Sequence, residues 1–221
     1  MAPDKHTAAN IFETLRDRIC LLDYPPGTIL REATLAKEFG ISRTPIRAVL
    51  QRLEHGGLVI VRDGVGTIVT DLDTTALRDI YEMRQKTAEL IGIMSPREIT
   101  AHDEQAASDL LDRAKLLVND YNAPEYWRIN HEQHALIADL IGNSVLRETW
   151  DQLYYRSARF WYRAASGAPE GIAQDLVAEL TEVARALHAQ DAKAVGYIQR
   201  NFIAFGFARL QTALKAGKTT S

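Results

Sequence analysis

The chain has 221 residues, a formal net charge of −3 and a single cysteine. This length allows a small domain of about 70 residues and a second domain of ordinary size. One cysteine excludes an internal disulfide framework, and no apolar run reaches the ~18 residues of a membrane-spanning helix or resembles the core of a signal peptide. We therefore expect a two-domain cytoplasmic protein in which Cys20 is a small buried side chain on an apolar helix.

The segment from residue 26 to residue 58 predicts two helices joined by a tight turn. In the first helix an apolar stripe is formed by Leu35, Ala36 and Phe39. Gly40 then provides the backbone freedom that a short turn needs. Ser42 is expected to cap the second helix, which begins at about residue 43 with Pro45 in its first turn. The buried face of this second helix consists of Ile46, Val49, Leu50 and Leu53.

The opposite face of the second helix carries groups suited to DNA. Its outward residues are Ser42, Arg43, Thr44 and Arg47, with Gln51 or Arg52 farther along. An arginine can form two hydrogen bonds to a guanine edge, and the hydroxyls and N–H groups of a helix's first turn can hold phosphates. Such a face fits a major groove, although arginines on a short helix can also form a solvated surface.

Residues 58–69 read LVIVRDGVGTIV, which is two short β-branched runs around a turn. This pattern predicts a β-hairpin wing directly after the second helix. At its tip, Arg62 lies beside Gly64 and Gly66, which allow close approach of the backbone to a minor groove. From Ile41 to Arg62 the chain has four arginines and one glutamate, a local positive excess that can face phosphates. The wing favours DNA binding over a solvated surface.

Residues 26–58 closely resemble the winged helix-turn-helix of GntR-family transcription regulators. The family's pattern is matched by Pro26, Gly27, Leu30, Glu32, Leu35, Ala36, Phe39, Gly40, Ser42 to Pro45, Arg47, Leu50, Arg52 to Glu54, Gly57 and Leu58. The resemblance implies that Arg43, Thr44 and Arg47 contact operator DNA and that Gly66 or Gly64 approaches the minor groove. Some relatives have a polar or basic residue where this chain has Ala33, so one contact is missing here. The predicted DNA-binding residues are Ser42, Arg43, Thr44, Arg47, Arg52, Gly64 and Gly66.

Beyond Thr70 the sequence has long helical periodicity, which places a domain boundary near Asp71–Thr75. We predict one domain over residues 1–72 and a second over residues 73–221. The second domain's helices are predicted at about 74–95, 97–120, 124–142, 144–166, 170–190 and 191–215, with breaks at Pro96, Asn122–Pro124, Gly142–Asn143 and Gly167–Pro169. The predicted fold is mainly α: a winged helix-turn-helix with a small β-hairpin, followed by an all-α antiparallel helical bundle.

Several polar residues occur on largely apolar faces of this bundle: Arg84, Asn130, His134, Tyr155 and Arg156. Asn130 and His134 are four residues apart and therefore share one helix face with apolar neighbours. Such a pair can hold a ligand or a metal, or can form a satisfied hydrogen bond in the core. The neighbouring sequence HEQH spaces its histidines by three rather than the four of a zinc-protease helix, which excludes that class of hydrolase.

Residues 75–213 resemble the FCD ligand-binding domain of the FadR and VanR branch of GntR regulators. In that domain an Asp and a His four apart, together with two histidines on the last two helices, bind a metal ion. By this resemblance the four positions are Asn130, His134, Leu180 and Phe202. Because a neutral amide and one imidazole make a poor divalent site, we predict no metal cofactor, with only weak divalent binding through His134 and Asn130 left open.

Without a metal ion, an anionic effector needs another cation, which Arg84 or, as second candidate, Arg156 provides. Leu180 and Phe202 make the predicted pocket more apolar, so we expect a small effector that is acidic and partly apolar. The predicted effector-binding residues are Arg84, Asn130, His134, Tyr155, Arg156, Leu180 and Phe202. In the alternative, the pocket has collapsed around Phe202 and the bundle serves only to dimerise.

Together these features predict a homodimeric repressor that binds palindromic double-stranded operator DNA and responds to a small-molecule effector, without a membrane partner. The alternative is a dimeric DNA-binding protein without an effector. The sequence has no nucleophile elbow, phosphate loop, intact metal set or paired-carboxylate signature, and we therefore do not expect an enzyme.

Overall fold

The structure, a computed structural model, describes residues 7–71, 74–167 and 171–218. Its contacts divide the chain into two compact units, Met1–Thr74 with Tyr155–Arg159, and Thr75–Tyr154 with Phe160–Ser221. Three predicted features lie outside the described residues: the domain boundary between residues 72 and 73, the break at residues 168–169, and the helix start at residue 170. Within the described ranges, no helix combines the length and the apolar character that a membrane crossing requires.

The described part of the first unit consists of α1 (Ala8–Cys20), β1 (Ile29–Leu30), α2 (Glu32–Phe39), α3 (Arg43–His55), β2 (Val59–Arg62) and β3 (Gly66–Val69). Its core joins apolar side chains from all three helices, and the predicted buried face of α3 is confirmed because Ile46, Val49, Leu50 and Leu53 are all buried in it. Cys20 is fully buried at the end of α1, as predicted.

The turn between α2 and α3 depends on Gly40. This residue is left-handed, with φ 65°, and the N–H of Ile41 donates to the carbonyl of Ala36 over 3.0 Å. A left-handed residue after the last helical turn satisfies a free carbonyl and redirects the chain. The chain can therefore enter α3 at Arg43 only three residues later, which confirms the predicted turn and helix start.

The sheet has the order β1–β3–β2, and both pairs are antiparallel. β2 and β3 form the predicted hairpin, in which Val59 pairs with Val69 and Arg62 with Gly66. β1 was not predicted, because a strand of two residues is too short to show the alternation that identifies strands. It pairs with the other side of β3 and leaves β2 as an edge strand.

The rest of the described chain has six helices, α4 (Thr74–Glu89), α5 (Ala101–Leu117), α6 (Ala123–Leu140), α7 (Ser144–Gly167), α8 (Ile172–His188) and α9 (Ala192–Lys218), and Tyr155–Arg159 of α7 belong to the first unit. These six helices correspond to the six predicted ones. α5 packs against α6 and α8, and α8 packs against α9. Large, fully buried side chains fill the interior: Leu77, Ile91, Ile129, Ile137, Leu140, Leu180 and Leu187.

Two predicted helix ends were wrong, since α4 stops at Glu89 rather than near residue 95 and α5 begins at Ala101 rather than near residue 97. A Cβ added at Gly92 would lie 2.3 Å from the Cα of Lys193, so the chain after α4 passes directly against the start of α9. α5 begins where Asp103 accepts a hydrogen bond from the backbone N–H of Thr100 over 2.8 Å, as in a capping box.

Candidate functional site

The exposed face of α3 is the first candidate site. Arg43, Thr44 and Arg47 are exposed there, on the side opposite the buried apolar residues. Ser42 occupies the N-cap position, but its side chain makes no capping hydrogen bond, so the predicted role of its hydroxyl as the cap was wrong. That hydroxyl is on an exposed residue beside the free N–H groups of the first helical turn, which favour anions.

Arg47 is held by a carboxylate from α2. Its Nε lies 2.9 Å from Oε1 of Glu32 and its Nη2 lies 3.0 Å from Oε2, which is a two-point contact that fixes the plane of the guanidinium. The hydrogen bond from Arg47 lowers the pKa of Glu32, and the hydrogen bond to Glu32 raises the pKa of Arg47. The pair is therefore ionised on both sides, and 64% of the Arg47 side chain remains exposed.

Arg52 is exposed as well, but its side chain points in a different direction from that of Arg47. Five residues correspond to about 140° around an α-helix beyond one full turn, so the two side chains point in different directions. The guanidinium carbon of Arg52 lies 3.9 Å from the ring centroid of Phe12 on α1, in a cation–π contact. This contact gives Arg52 a packing role within the first unit.

The wing presents its two predicted glycines at an exposed tip. Gly64 has φ 74° and Gly66 has φ 114°, which are conformations that other residues rarely adopt. The edge strand β2 is fixed to α3 because the N–H of Val61 donates to Oε1 of Glu54 over 2.9 Å. The wing and the exposed face of α3 are thus coupled through a direct hydrogen bond, and Arg62 is exposed next to the tip.

The second candidate site is a cavity of about 150 Å³ in the second unit, lined by α4, α6, α7, α8 and α9. Four of the predicted effector residues line it: Arg84, Asn130, His134 and Phe202. A dry cavity of similar volume admits benzene, so the space is sufficient for a small ring. Phe202 is part of the wall rather than a plug, which disfavours the predicted alternative of a collapsed pocket.

Three predicted effector residues do not line this cavity. Leu180 is fully buried in the core of the unit, one residue and therefore about 100° along α8 from the cavity-lining Glu179. Tyr155 and Arg156 follow the cavity-lining Tyr154 on α7 and belong to the first unit, where the Tyr155 ring centroid lies 4.2 Å from the guanidinium carbon of Arg16. These residues lie away from the cavity because each further residue on a helix faces another direction.

Several polar residues that line the cavity were not predicted from the sequence, among them Gln133, Glu179 and Gln199. Oε1 of Glu179 accepts a hydrogen bond from Nε2 of Gln133 over 2.6 Å and from Nε2 of Gln199 over 2.8 Å. Burial raises the pKa of Glu179, although these two hydrogen bonds and the charge of Arg84 lower it. A signal was present, since Gln133 lies four residues from both Ile129 and Ile137, and Gln199 lies four from both Val195 and Ile203.

Aromatic rings form much of the remaining wall. The His134 ring stacks on Tyr154 with centroids 3.8 Å apart, and Tyr154 is also near Trp161 at 6.1 Å. The guanidinium carbon of Arg84 lies 5.2 Å from the Tyr81 ring centroid and 5.7 Å from that of Tyr154. Arg84 therefore places a buried cation beside the aromatic rings of the cavity wall.

The residues at the expected metal positions do not fit a divalent ion. Nε2 of His134 lies 2.7 Å from Oδ1 of Asp151, and Nδ2 of Asn130 donates to the carbonyl of Tyr126 over 2.8 Å. Leu180 and Phe202 contribute only carbon atoms. Burial lowers the pKa of His134 to about 4, although Asp151 raises it, so the neutral ring donates its Nε2 proton to Asp151. Within the described ranges, no three His, Cys, Asp or Glu side chains are placed to share a metal ion.

Comparisons with known proteins place both units in families. Residues 7–69 match the model for bacterial regulatory proteins of the gntR family, and residues 79–204 match the model for the FCD domain. The uncharacterized HTH-type transcriptional regulator YdhC of Bacillus subtilis is 33% identical over 129 residues, which are 56% of this chain and 56% of YdhC. The fatty acid metabolism regulator protein of Shewanella amazonensis is 24% identical over 181 residues, which are 73% of this chain and 74% of that protein. The match with YdhC thus spans little more than half of that relative's length.

Solved structures show the same fold. E. coli McbR/YncC superposes with a TM-score of 0.77 at 18% identity, covering 93% of this chain and 97% of that chain. A GntR-family transcriptional regulator from Pseudomonas syringae pv. tomato gives 0.51 at 23% identity, covering 99% and 90%. These likenesses confirm the predicted fold class. YdhC and the Shewanella amazonensis protein are both named as regulators rather than as enzymes.

Proposed function

Because this chain belongs to the GntR family of bacterial regulatory proteins and carries an FCD domain, we propose that it is a DNA-binding repressor of transcription whose operator affinity is changed by a small organic effector. The observation that carries the proposal is the exposed face of α3, where Arg43, Thr44 and Arg47 stand opposite a fully apolar buried face. A helix of this type presents its first turns to base edges in the major groove.

On DNA, the roles follow from side-chain chemistry. Arg47 and Arg43 supply forked donors for guanine edges or phosphates, and the exposed hydroxyls of Ser42 and Thr44 suit phosphate oxygens. The glycines of the wing tip allow its backbone to approach a minor groove, with Arg62 beside them. The fixed guanidinium of Arg47 favours a defined base contact over a merely electrostatic one, since its plane is set by Glu32.

We propose that the protein binds DNA as a homodimer. Two recognition helices related by a two-fold axis read a palindrome whose half-sites lie about one helical turn apart. Repression follows where such a dimer occupies the DNA that a polymerase needs. An effector acts when it binds one dimer geometry better than another and so changes the spacing of the two helices.

The effector site of this proposal is the cavity of the second unit. Arg84 gives it a cation for an acidic group, and its aromatic rings suit the apolar part of a small molecule. The volume of about 150 Å³ limits the enclosed part to roughly the size of one ring. We therefore assign the site a small ligand that is acidic and partly apolar.

DNA binding is tested by selecting from a random duplex library with the full chain. The selected sequences should share a palindrome, and Arg47→Ala and Arg43→Ala should each raise the dissociation constant for it by at least about tenfold in fluorescence anisotropy. Arg163→Ala removes an exposed arginine from α7 and is the matched control for lost charge. Selection of no common sequence, or equal binding by all four proteins, would contradict the proposal. The effector role is tested with Arg84→Ala, which should keep DNA binding and lose any ligand response.

A further inference from the structure

The base of the wing is fixed by a buried arginine of the first unit. Arg159, which α7 contributes to that unit, is only 4% exposed. Its Nη1 donates to the carbonyl oxygen of Thr70 over 2.6 Å, and its Nη2 donates to the hydroxyl oxygen of Thr70 over 2.9 Å. Thr70 follows the last residue of β3, so this two-point contact holds the end of the hairpin.

Thr70 in turn joins this end of the hairpin to the end of α3. Its backbone N–H donates to the carbonyl of Leu58 over 3.1 Å. Its hydroxyl lies 3.0 Å from the carbonyl oxygen of Gly57 and 3.1 Å from that of Leu58. Gly57 and Leu58 belong to the turn between α3 and β2, and Gly57 is left-handed with φ 71°. Arg159, Thr70, Gly57 and Leu58 thus form a continuous set of hydrogen bonds, which we call the wing-base network.

The wing-base network restrains a part of the wing that the hydrogen bond between Val61 and Glu54 does not. That hydrogen bond fixes the middle of β2, whereas the network fixes the open end of the hairpin. Gly66 at the tip lies four residues before Thr70, which corresponds to about 13 Å along an extended strand. A tilt of about 10° at the base would therefore move the tip by about 2 Å, which is enough to break a hydrogen bond.

A guanidinium is not the side chain that packing alone would place in this position. Burial lowers the pKa of Arg159, although the charge of Asp71 raises it, so the surroundings replace only part of the lost hydration. Its Nε is buried without a hydrogen-bond partner among the residues that the structure describes. An apolar side chain of similar volume avoids both penalties. The guanidinium adds a planar pair of donors, which fixes direction as well as distance.

We infer that Arg159 is a positioning residue for DNA binding: through Thr70 it holds the wing at the angle to α3 that lets the wing tip reach the minor groove while α3 occupies the major groove. Two such contacts strengthen each other when their spacing is fixed before binding. A wing that is free at its base has to be ordered on the DNA, and Arg62 beside the tip then contributes little affinity. The inference rests on the proposed contact of the wing with DNA and names the residue that controls it.

A double-mutant cycle tests this inference by fluorescence anisotropy with the full chain and the duplex sequence that it selects. Arg62→Ala should weaken binding by the wild-type chain about tenfold. In the Arg159→Met background the same substitution should weaken binding by less than about twofold, because the tip is no longer held at the groove. Arg43→Ala removes a contact of α3 and should have the same effect in both backgrounds. Arg163→Met removes an exposed arginine from α7 and should leave both effects unchanged.

Two substitutions of Thr70 keep the test decisive if circular dichroism shows that Arg159→Met does not fold. Thr70→Val removes the hydroxyl that accepts from Arg159 and keeps the shape of the side chain, whereas Thr70→Ser keeps the hydroxyl. Thr70→Val should reduce the effect of Arg62→Ala to less than about threefold, and Thr70→Ser should leave it near tenfold. Equal effects of Arg62→Ala in the two Thr70 variants would overturn the inference.

Three further results would overturn it. An equal effect of Arg62→Ala with and without Arg159 would show that the wing is placed by other residues, and would leave the proposed wing contact intact. Loss of the Arg43→Ala effect in the Arg159→Met background would show that Arg159 only supports the fold of the whole first unit. Wild-type binding that is insensitive to Arg62→Ala would remove the wing contact from the proposed function, and the inference with it. The effector part of the proposed function is unaffected by any of these results.

Discussion

Glu32 is expected to control the sequence specificity of DNA binding although it is not one of the predicted DNA contacts. Its two carboxylate oxygens hold Nε and Nη2 of Arg47 at 2.9 and 3.0 Å. Glu32→Ala removes this anchor and leaves the Arg47 side chain free to sample other rotamers. Because the ion pair is largely exposed, we expect little change in the free energy of unfolding.

Two effects on DNA binding then oppose each other. Loss of one negative charge beside the DNA face raises affinity for any duplex, specific or not. Ordering a freed arginine upon binding lowers affinity for the specific site by about tenfold per recognition helix, and by about 100-fold for two independent helices. The ratio of specific to nonspecific affinity is therefore the informative quantity, and it should fall by about 10- to 100-fold.

The assay is fluorescence anisotropy at one fixed salt concentration, with the selected palindrome and a scrambled duplex of equal length. Glu38→Ala is the matched control, because Glu38 is also a carboxylate of α2 but pairs with Arg18 on α1. Glu38→Ala should preserve the ratio. A Glu32→Ala ratio within about twofold of the Glu38→Ala ratio would refute the argument that a fixed Arg47 confers specificity.

Three further predictions concern stability. Asp103→Asn removes the buried carboxylate that pairs with Arg97, and we expect it to lower the free energy of unfolding, measured in urea at pH 7, by about 3 kcal/mol. Because the folded state lowers the pKa of Asp103, the difference in this free energy between variant and wild type should shrink below pH 4. His134 should stay neutral in NMR titrations down to about pH 4. Because its pKa is lowered from 6.5 in the folded state, the free energy of unfolding of the wild-type chain should fall by about 3 kcal/mol between pH 6.5 and pH 4. The substitution His134→Phe should reduce this loss. Gly92→Ala should destabilise the folded chain by about 3 kcal/mol or more, because the added Cβ clashes with the backbone of Lys193. A Cβ at Gly206 meets no atom within 4 Å, so Gly206→Ala should stabilise its helix by about 0.5–1 kcal/mol. Similar melting curves for the two variants would contradict the close approach at Gly92.

The winged helix-turn-helix was predictable because its signals are local. Gly40 determines the turn, and the spacing of Ile46, Val49, Leu50 and Leu53 determines which face of α3 is buried. Neither depends on a distant part of the chain. The end of α4, in contrast, depends on Gly92 meeting the backbone of Lys193 about one hundred residues later in sequence, which no local pattern can indicate.

The cavity was only partly predictable because a helix turns by about 100° per residue. Arg84 and His134 were identified as polar residues on apolar faces and do line the cavity. Sequence alone could not tell which of the neighbouring residues Tyr154 and Tyr155 faces the cavity. In the structure Tyr154 lines it, and Tyr155 belongs to the first unit. Glu179 resembles an ordinary solvated glutamate in a charged helix, and its contact with two glutamines on other helices exists only in the folded unit.

Gln133, Glu179 and Gln199 line the cavity from the same three helices that carry the expected metal positions. Glu179 directly precedes Leu180 on α8, and Gln199 lies three residues before Phe202 on α9. Apolar side chains at Leu180 and Phe202 remove two nitrogen ligands of a metal ion, while Glu179 and Gln199 add hydrogen-bonding groups to the cavity wall. Ligand selection in this chain should therefore depend on hydrogen bonding and charge balance. Glu179→Gln, which alters both, should change which ligand is preferred as well as how tightly it binds.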